Sequence, residues 1–367
     1  MAPTYPGFCD TAYPEVFDLR AMPEQPKVLK DGQVKEDLVR QFFEKGWVIV
    51  PDFFRKEELD ACRRDVEELV DKVANLLFEN GKIKDLYKDK GLFERLTYIE
   101  ADFPGANILM HKEGTLTKAF QDLWAGERML NLVEQFIGPE IMGHPVWNLR
   151  TKTPQNEATT VPWHQDSAYL DNDSYKVLQL GAWVPLLDAN EQNGCMEVIS
   201  GGHRAGKVAR HTCCWGNTWY VLMDEKDAEE KLDVDMEKDR VLCPMPYGGM
   251  LLTNNMIPHR SLNNVSNEIR WSLDLRWQRP DNPVGFYGIK QGVMMRSQKN
   301  PVVQIDWDGF NKVERHNVAN TIRKDKDQVD RFDTVIVGPW MKKWEMTHTN
   351  RHTERLTDNV EVSWHKA

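Results

Sequence analysis

Met250-Leu-Leu-Thr-Asn-Asn-Met-Ile-Pro-His-Arg-Ser261, followed by Arg270-Trp-Ser-Leu-Asp-Leu-Arg-Trp277, is the stretch on which the fold turns. The first segment is an apolar run led in by Gly248-Gly249. The second alternates between polar and apolar residues, and a period of two is that of a β-strand. Between them lies Asn263-Asn-Val-Ser-Asn267, a run of turn formers. Two strands joined in this way read as a β-hairpin. With its turn centred between Asn264 and Val265, His259 pairs with Arg270. Cross-strand partners share a face with Cβ atoms about 5 Å apart, so both side chains enter one cavity. Trp271, Leu273, Leu275 and Trp277 then face a packed layer on the other side. A bulge would shift this register by one residue.

Working outward, residues 140–280 hold further short apolar or alternating runs, at Val177–Leu187 and Met196–Ser200, broken by Pro, Gly and Asn. That pattern indicates a β-sandwich or barrel. The preceding part is helical. Leu38, Phe42 and Phe43 share one face of a helix stopped by Gly46, and Trp47–Val50 is a short buried strand closed by Pro51. Leu59, Cys62, Val66, Leu69, Val70, Val73 and Leu77 recur at spacings of three and four, and a third helix is expected over Leu116–Ile137, ended by Gly138-Pro139. The organisation read from this is an N-terminal arm over 1–33, one domain over 34–280, and a polar extension over 281–367 packed on the same domain. The acidic stretch 224–240 has no EF-hand spacing and reads as a solvated insertion between strands.

The chain is 367 residues long, 41% hydrophobic and 28% charged, with a net charge of −10. That balance builds a globular core and lacks the basic footprint of a nucleic-acid binder. Six cysteines without C-x-x-C spacing read as free thiols of a reducing compartment. No signal peptide, no apolar run long enough to cross a membrane and no peroxisomal address in the final Trp-His-Lys-Ala are seen, so a cytoplasmic location is expected.

The chemistry lies in Val161-Pro-Trp-His-Gln-Asp-Ser167. His164 and Asp166 are two apart, which on a strand directs both to one side. His-x-Asp occurs often by chance as ordinary surface polarity, and a third ligand is what completes a two-His-one-carboxylate iron(II) site with open positions. His259, at the end of an apolar strand, is the candidate. Arg270 beside it needs an anion, because an unpaired buried charge is costly. Its planar fork suits a carboxylate, and 2-oxoglutarate brings one at the end remote from its metal-chelating keto acid. An ordinary structural salt bridge is the alternative for an isolated arginine. A cupin-like metalloenzyme that uses no 2-oxoglutarate, and a binding module without activity, are the other classes; the intact set of four residues speaks against both.

These residues resemble the phytanoyl-CoA dioxygenase family, from about Val34 to Arg279. The resemblance runs through Glu44-Lys-Gly-Trp-Val-Ile-Val-Pro-Asp-Phe53, Lys152-Thr-Pro154, His164-Gln-Asp166, Ala182-Trp-Val-Pro-Leu186, Asn193-Gly194, Ser200-Gly-Gly-His-Arg204, and His259 with an arginine eleven residues on. It implies a mainly β double-stranded β-helix, the cupin-like jelly roll, with flanking helices. It also implies an oxygenase using Fe(II), 2-oxoglutarate and O2, with His164, Asp166 and His259 as metal and catalytic residues. Arg270, Asn148, Trp183 and Ser261 would contact the cosubstrate, although Trp183 reads equally as a core tryptophan. The family's usual Pro-Gly-Ser/Thr-His is Gly201-Gly202-His203 here, with His203 structural, and a lysine that some relatives contribute has no clear counterpart near Leu109–Lys112. Related halogenases lack the carboxylate, so Asp166 favours hydroxylation, desaturation or ring formation. Trp163, Tyr169, Trp215, Trp219 and Tyr220 are candidate pocket or core aromatics. No basic run suggests a CoA cradle, so the expected substrate is a small metabolite rather than an acyl-CoA.

Overall fold

The computed structural model of the chain describes residues 5–113 and 116–357; the terminal Trp-His-Lys-Ala lies outside them. Its centre is the strand Arg270–Gln278, where Trp271, Leu273, Leu275 and Trp277 are fully buried. These four residues join the outward faces of Leu180, Ala182 and Val184 to form one apolar surface. Helices Glu36–Lys45, Lys56–Glu79, Lys118–Ala125 and Glu127–Ile137 cover it with Phe42, Phe43, Leu59, Val66, Phe120 and Phe136. The polar face of the same strand is left to look the other way.

The seven-stranded major sheet runs Trp47–Val50, Met250–Asn254, Leu180–Pro185, Arg270–Gln278, Ile141–Gly143, Val293–Arg296, and Asn148–Lys152 also pairs with Arg270–Gln278. A smaller sheet of His259–Ser261, Met196–Ile199 and Arg240–Cys243 lies opposite, with Trp183 and Leu251 of the major sheet packed against Met196 and Val198. The pairings within these two sheets are antiparallel, and the result is a jelly roll with flanking helices. The third sheet joins His211–Cys213 and Val221–Met223 to Glu345–Met346, so the end of the described chain is built into the fold. Lys343, buried, donates to the carbonyls of Ser167 and Leu170, and Trp344 Nε1 donates to the Ala168 carbonyl at 2.9 Å. C-terminal residues therefore hold the turn that follows Asp166.

Three expectations are corrected. The segments ending at Ser261 and starting at Arg270 do not form a hairpin. His259 pairs with Val198 in the small sheet and Arg270 pairs with Lys152 in the large one. The asparagines between them serve a crossover: Asn264 Nδ2 donates to the carbonyls of Lys152 and Glu268. The helix expected over Leu116–Ile137 is two helices, because Gly126 takes an extended ψ of 145° between them. A Cβ there would meet the Asp122 carbonyl at 2.6 Å. Finally, Cys213 and Cys214 are joined as a vicinal disulfide across a cis peptide, with Cα atoms 2.9 Å apart; Cys9, Cys62, Cys195 and Cys243 are free.

Other elements follow the pattern. Gly46 caps its helix at φ 85°, where a Cβ would meet His203 Nδ1 at 2.6 Å. His203 Nε2 bonds the Phe43 carbonyl and is structural. Residues 224–240 hold the helix Glu225–Leu232 between two strands. Among the described residues, no helix is long and apolar enough to cross a membrane.

Replacing Trp271 with Ala removes a fully buried indole and its bond to the Leu92 carbonyl. The expected cost is about 3–5 kcal/mol in chemical denaturation; a loss no larger than that of a surface substitution contradicts the packing. Burial pushes His144 down to about 3 and His203 down to about 4. Each stays neutral when folded at a pH where the unfolded chain binds a proton, so stability falls as pH drops from about 6.5 towards 4. A melting temperature that is level or rises across that window would refute this.

Candidate active site

His164 and His259 are brought together by the backbone. Each donates its N–H to the other's carbonyl, at 3.0 and 2.9 Å, in an isolated antiparallel bridge. Their rings lie with centroids 4.2 Å apart and planes tilted by 55°. Both Nδ1 atoms bond backbone carbonyls: His164 to Pro162 at 2.8 Å, and His259 to Ile257 at 3.0 Å. That arrangement fixes each tautomer with the proton on Nδ1 and leaves each Nε2 lone pair free, as a metal-binding histidine requires. Burial, and then the neighbouring His164, pushes His259 down to about 4 and keeps it neutral.

Asp166 opens a short 3-10 helix, Asp166–Tyr169. The intervening Gln165 is fully buried and anchors the loop from both ends of its amide. Its Nε2 donates to the Lys207 and Met256 carbonyls, and its Oε1 accepts from Ala209 N–H. Asp166 Oδ1 stands 3.6 Å from His164 Nε2 and 3.8 Å from His259 Nε2. One atom from each of the three residues lies within 4.8 Å of the others. The second carboxylate oxygen is held by Arg276, whose Nε and NH2 donate at 3.0 and 2.8 Å. Burial alone would raise the Asp166 carboxyl, but Arg276 and the two histidines outweigh it and hold the group well below the usual carboxylate range. Two imidazoles whose Nδ1–H groups are committed to backbone carbonyls and one fixed anion, each with an uncommitted lone pair towards one point, suit a divalent metal.

Arg270 lies in the same cavity, across from the small sheet rather than beside His259. NH1 donates to Ser272 Oγ at 2.6 Å, and that hydroxyl also accepts from Trp183 Nε1 at 3.0 Å. The guanidinium lies 5.2 Å from the Trp183 ring centre. Among the described residues no carboxylate pairs with it, and its buried Nε has no partner. Burial pushes Arg270 down to about 10, so it is still charged at neutral pH. A buried, unpaired fork beside a metal-type triad is the fit that a carboxylate-bearing cosubstrate demands.

Ser261 lines this lobe, with its Oγ accepting from Val161 N–H. Asn148 does not: its Oδ1 accepts from Arg315 in an adjoining lobe. Tyr169, Trp219 and Tyr220 line the cavity, whereas Trp163 and Trp215 border a separate groove. Lys112, near the position examined for a family lysine, is paired with Asp333. Sequence reasoning passed over Arg150, Lys152, Ser272 and Arg276. The signal was present in parity: Arg150 and Lys152 alternate with Leu149 and Thr151, and Ser272 and Arg276 share the face of Arg270. Lys152 Nζ donates to the Thr159 carbonyl at 3.0 Å, and burial with the nearby Arg270 and Arg150 pushes its amine well down.

Replacing Arg276 with Met leaves all three ligand side chains and removes the clamp on Asp166. Loss of such a partner is expected to weaken Mn(II) binding by about ten- to a hundredfold in calorimetric titration. Unchanged affinity would show that Asp166 needs no clamp.

Comparison with known proteins gives the family and the fold. The chain is 22% identical over 276 residues to "Phytanoyl-CoA dioxygenase domain-containing protein 1" of Danio rerio, covering 67% of this chain and 90% of that one. It is 24% identical over 260 residues to a "Probable alpha-ketoglutarate-dependent hypophosphite dioxygenase" of Stutzerimonas stutzeri, covering 70% and 84% respectively. The fold is like that of the non-heme monooxygenase ThoJ in its apo form, with a TM-score of 0.51 at 17% identity over 81% of this chain and 97% of that chain. The profile of the phytanoyl-CoA dioxygenase family matches residues 42–272, more than half of the chain, and the chain belongs to that family.

Proposed function

We propose that the protein is an Fe(II)- and 2-oxoglutarate-dependent dioxygenase that hydroxylates a C–H bond of a small-molecule metabolite, with succinate and CO2 as coproducts. One observation carries the reading: three uncommitted ligand atoms within 4.8 Å share a cavity with a buried arginine that has no carboxylate partner among the described residues. His164, Asp166 and His259 would hold the metal, and Arg270 the remote carboxylate of 2-oxoglutarate. The metal and cosubstrate, when bound, supply oxygen activation coupled to oxidative decarboxylation.

The chain's own residues supply position and exclusion. The Pro162 and Ile257 carbonyls aim the two imidazoles. Arg276 keeps Asp166 ionised and presents one oxygen to the histidines. Ser272 and Trp183 orient the Arg270 fork, which fixes the far end of the cosubstrate and thereby its near end. Tyr169, packed edge-on at 5.4 Å against the His164 ring, walls the side away from Arg270 and limits access of water. The carboxylate at Asp166 fits hydroxylation rather than halogenation, since a halide needs its place. A cytoplasmic location and a free small metabolite as partner belong to the same proposal.

The test is anaerobic loading with Fe(II) and 2-oxoglutarate, followed by oxygen. A visible charge-transfer band before oxygen and succinate release after it are expected in the native protein. Both should be lost in Asp166→Ala and His259→Ala. Full oxygen-dependent turnover in Asp166→Ala would remove the metal assignment. Arg270→Lys keeps the charge but not the fork, and should raise KM for 2-oxoglutarate by about tenfold or more with a smaller change in kcat. An unaltered KM would assign Arg270 to structure, and turnover without 2-oxoglutarate would point to a cupin-like enzyme of another class.

A further inference from the structure

Two pockets adjoin at Asp166 and form the two lobes of the site. One holds Arg270; the other runs past Asp166 and is walled by Phe286, Ile336, Val337 and Trp340. Arg150, Asp166, Trp219, Tyr220 and Arg276 border both. The second lobe ends on Arg315, in the short helix Arg315–Ala319. Phe286, Arg315, Ile336, Val337 and Trp340 lie beyond residue 272, where the family match stops, whereas His144, Val146 and Leu170 line the same lobe from within it.

The arginines of the cavity divide by their partners. Arg150 donates to Asp274 at 2.7 Å, and Arg276 to Asp166 at 2.8 Å. Arg315 has no carboxylate partner among the described residues. Its NH2 donates to Asn148 Oδ1 at 2.9 Å, and its Nε points to His316 Nε2 at 3.4 Å. Both contacts are to neutral groups, since burial holds His316 well below its ordinary range. The nearest acid in sequence, Glu314, is spent on the N–H groups of His316 and Asn317. Nearby Lys290 turns its ammonium onto the Phe310 ring at 3.8 Å and does not line the cavity. Trp147 lies 5.9 Å from the Arg315 guanidinium, and offers no negative charge.

Asn148, which orients Arg315, faces Asp274, four residues along the strand from Arg270. At the rise of a strand that separates the two levels by about 13 Å. A cosubstrate anchored on Arg270 with its other end at the metal does not reach Arg315. One unmatched guanidinium, oriented by an amide and bordered by apolar walls, calls for one further anion of single charge on an apolar body.

We propose that the substrate is an apolar monocarboxylic acid whose carboxylate is bound by Arg315, oriented by Asn148, with its hydrocarbon body against Phe286, Ile336, Val337 and Trp340 and its reacting carbon towards the His164–Asp166–His259 centre. This deepens the oxygenase reading and rests on it. Arg315 and Asn148 are thus specificity-determining residues, and the free acid rather than an ester, amide or phosphate is the form taken.

The experiment uses the full chain loaded anaerobically with Fe(II) and 2-oxoglutarate. Decanoate and phenylpropanoate are compared with their amides and with dodecyl phosphate, and binding is read by tryptophan fluorescence and by perturbation of the charge-transfer band. At least one carboxylate should bind more tightly than its amide and than the phosphate. Arg315→Gln should erase that preference, weakening carboxylate binding by about ten- to a hundredfold, the usual loss for a charged hydrogen bond. Arg315→Lys should restore part of it, which a purely structural role would not do. The proposal is overturned if no carboxylate outbinds its amide, if the phosphate binds best, or if Arg315→Gln retains the preference. A native protein that forms no charge-transfer band fails the oxygenase reading itself. A band that persists in Arg315→Gln, without a carboxylate preference in the native protein, fails this inference alone.

Discussion

The strand Arg270–Gln278 is under a constraint that the rest of the structure obeys. Its alternate residues Trp271, Leu273, Leu275 and Trp277 are large and apolar, and helices bury them completely. Because a strand's period is two, the remaining residues, Arg270, Ser272, Asp274, Arg276 and Gln278, are driven to the opposite face. A slip of one residue would place two guanidiniums in the helical core and four large apolar groups in the cavity. Core packing thus sets the register, and the register places the polar groups: Arg270 in the cavity against Ser272, Asp274 holding Arg150, and Arg276 holding Asp166.

Charge matching is how the cavity separates structure from recognition. A buried ion that is paired and hydrogen-bonded belongs to the scaffold, and removing its partner is more damaging than removing both. Arg150 and Arg276 are of that kind. Arg270 and Arg315 are oriented by neutral oxygens, from Ser272 and Asn148, with no carboxylate at ion-pair distance among the described residues. Neutral orientation with uncancelled charge is costly to keep unless a ligand cancels it. The two arginines sit in different lobes, which under the proposed assignments separates the cosubstrate's anion from a second one.

Much of this was legible in the sequence because parity is local. The alternation over Arg270–Trp277 identifies the buried face without any knowledge of neighbours, and His164-Gln-Asp166 identifies a metal-type pair. What was not legible depends on connections between distant segments. Turn formers at Asn263–Asn267 serve a tight hairpin or a crossover equally well, and only the hydrogen bonds of Asn264 to Lys152 and Glu268 distinguish them. The break at Gly126 was masked by apolar spacing that continues on both sides of it. Arg315 carries no motif at all, and its role depends on the polar tail returning across the domain to wall the cavity.

Arg270 and His259 line one cavity although the two segments form no hairpin. The sequence pattern makes His259 and Arg270 cross-strand neighbours on one sheet; they lie on two sheets that face each other. Both arrangements send the two side chains into the same interior, because in each case the apolar alternates of the Arg270 strand claim the outer face. The sandwich is the chemically more useful of the two. A neighbour at cross-strand distance would press a guanidinium against the metal ligands, and cations there would compete with the metal. Placed across the cavity, with His164 taking the position beside His259 instead, Arg270 leaves room between itself and the ligands for a dicarboxylate to span. Separation of the two sheets, rather than adjacency within one, is what makes the site suitable for a cosubstrate with charge at both ends.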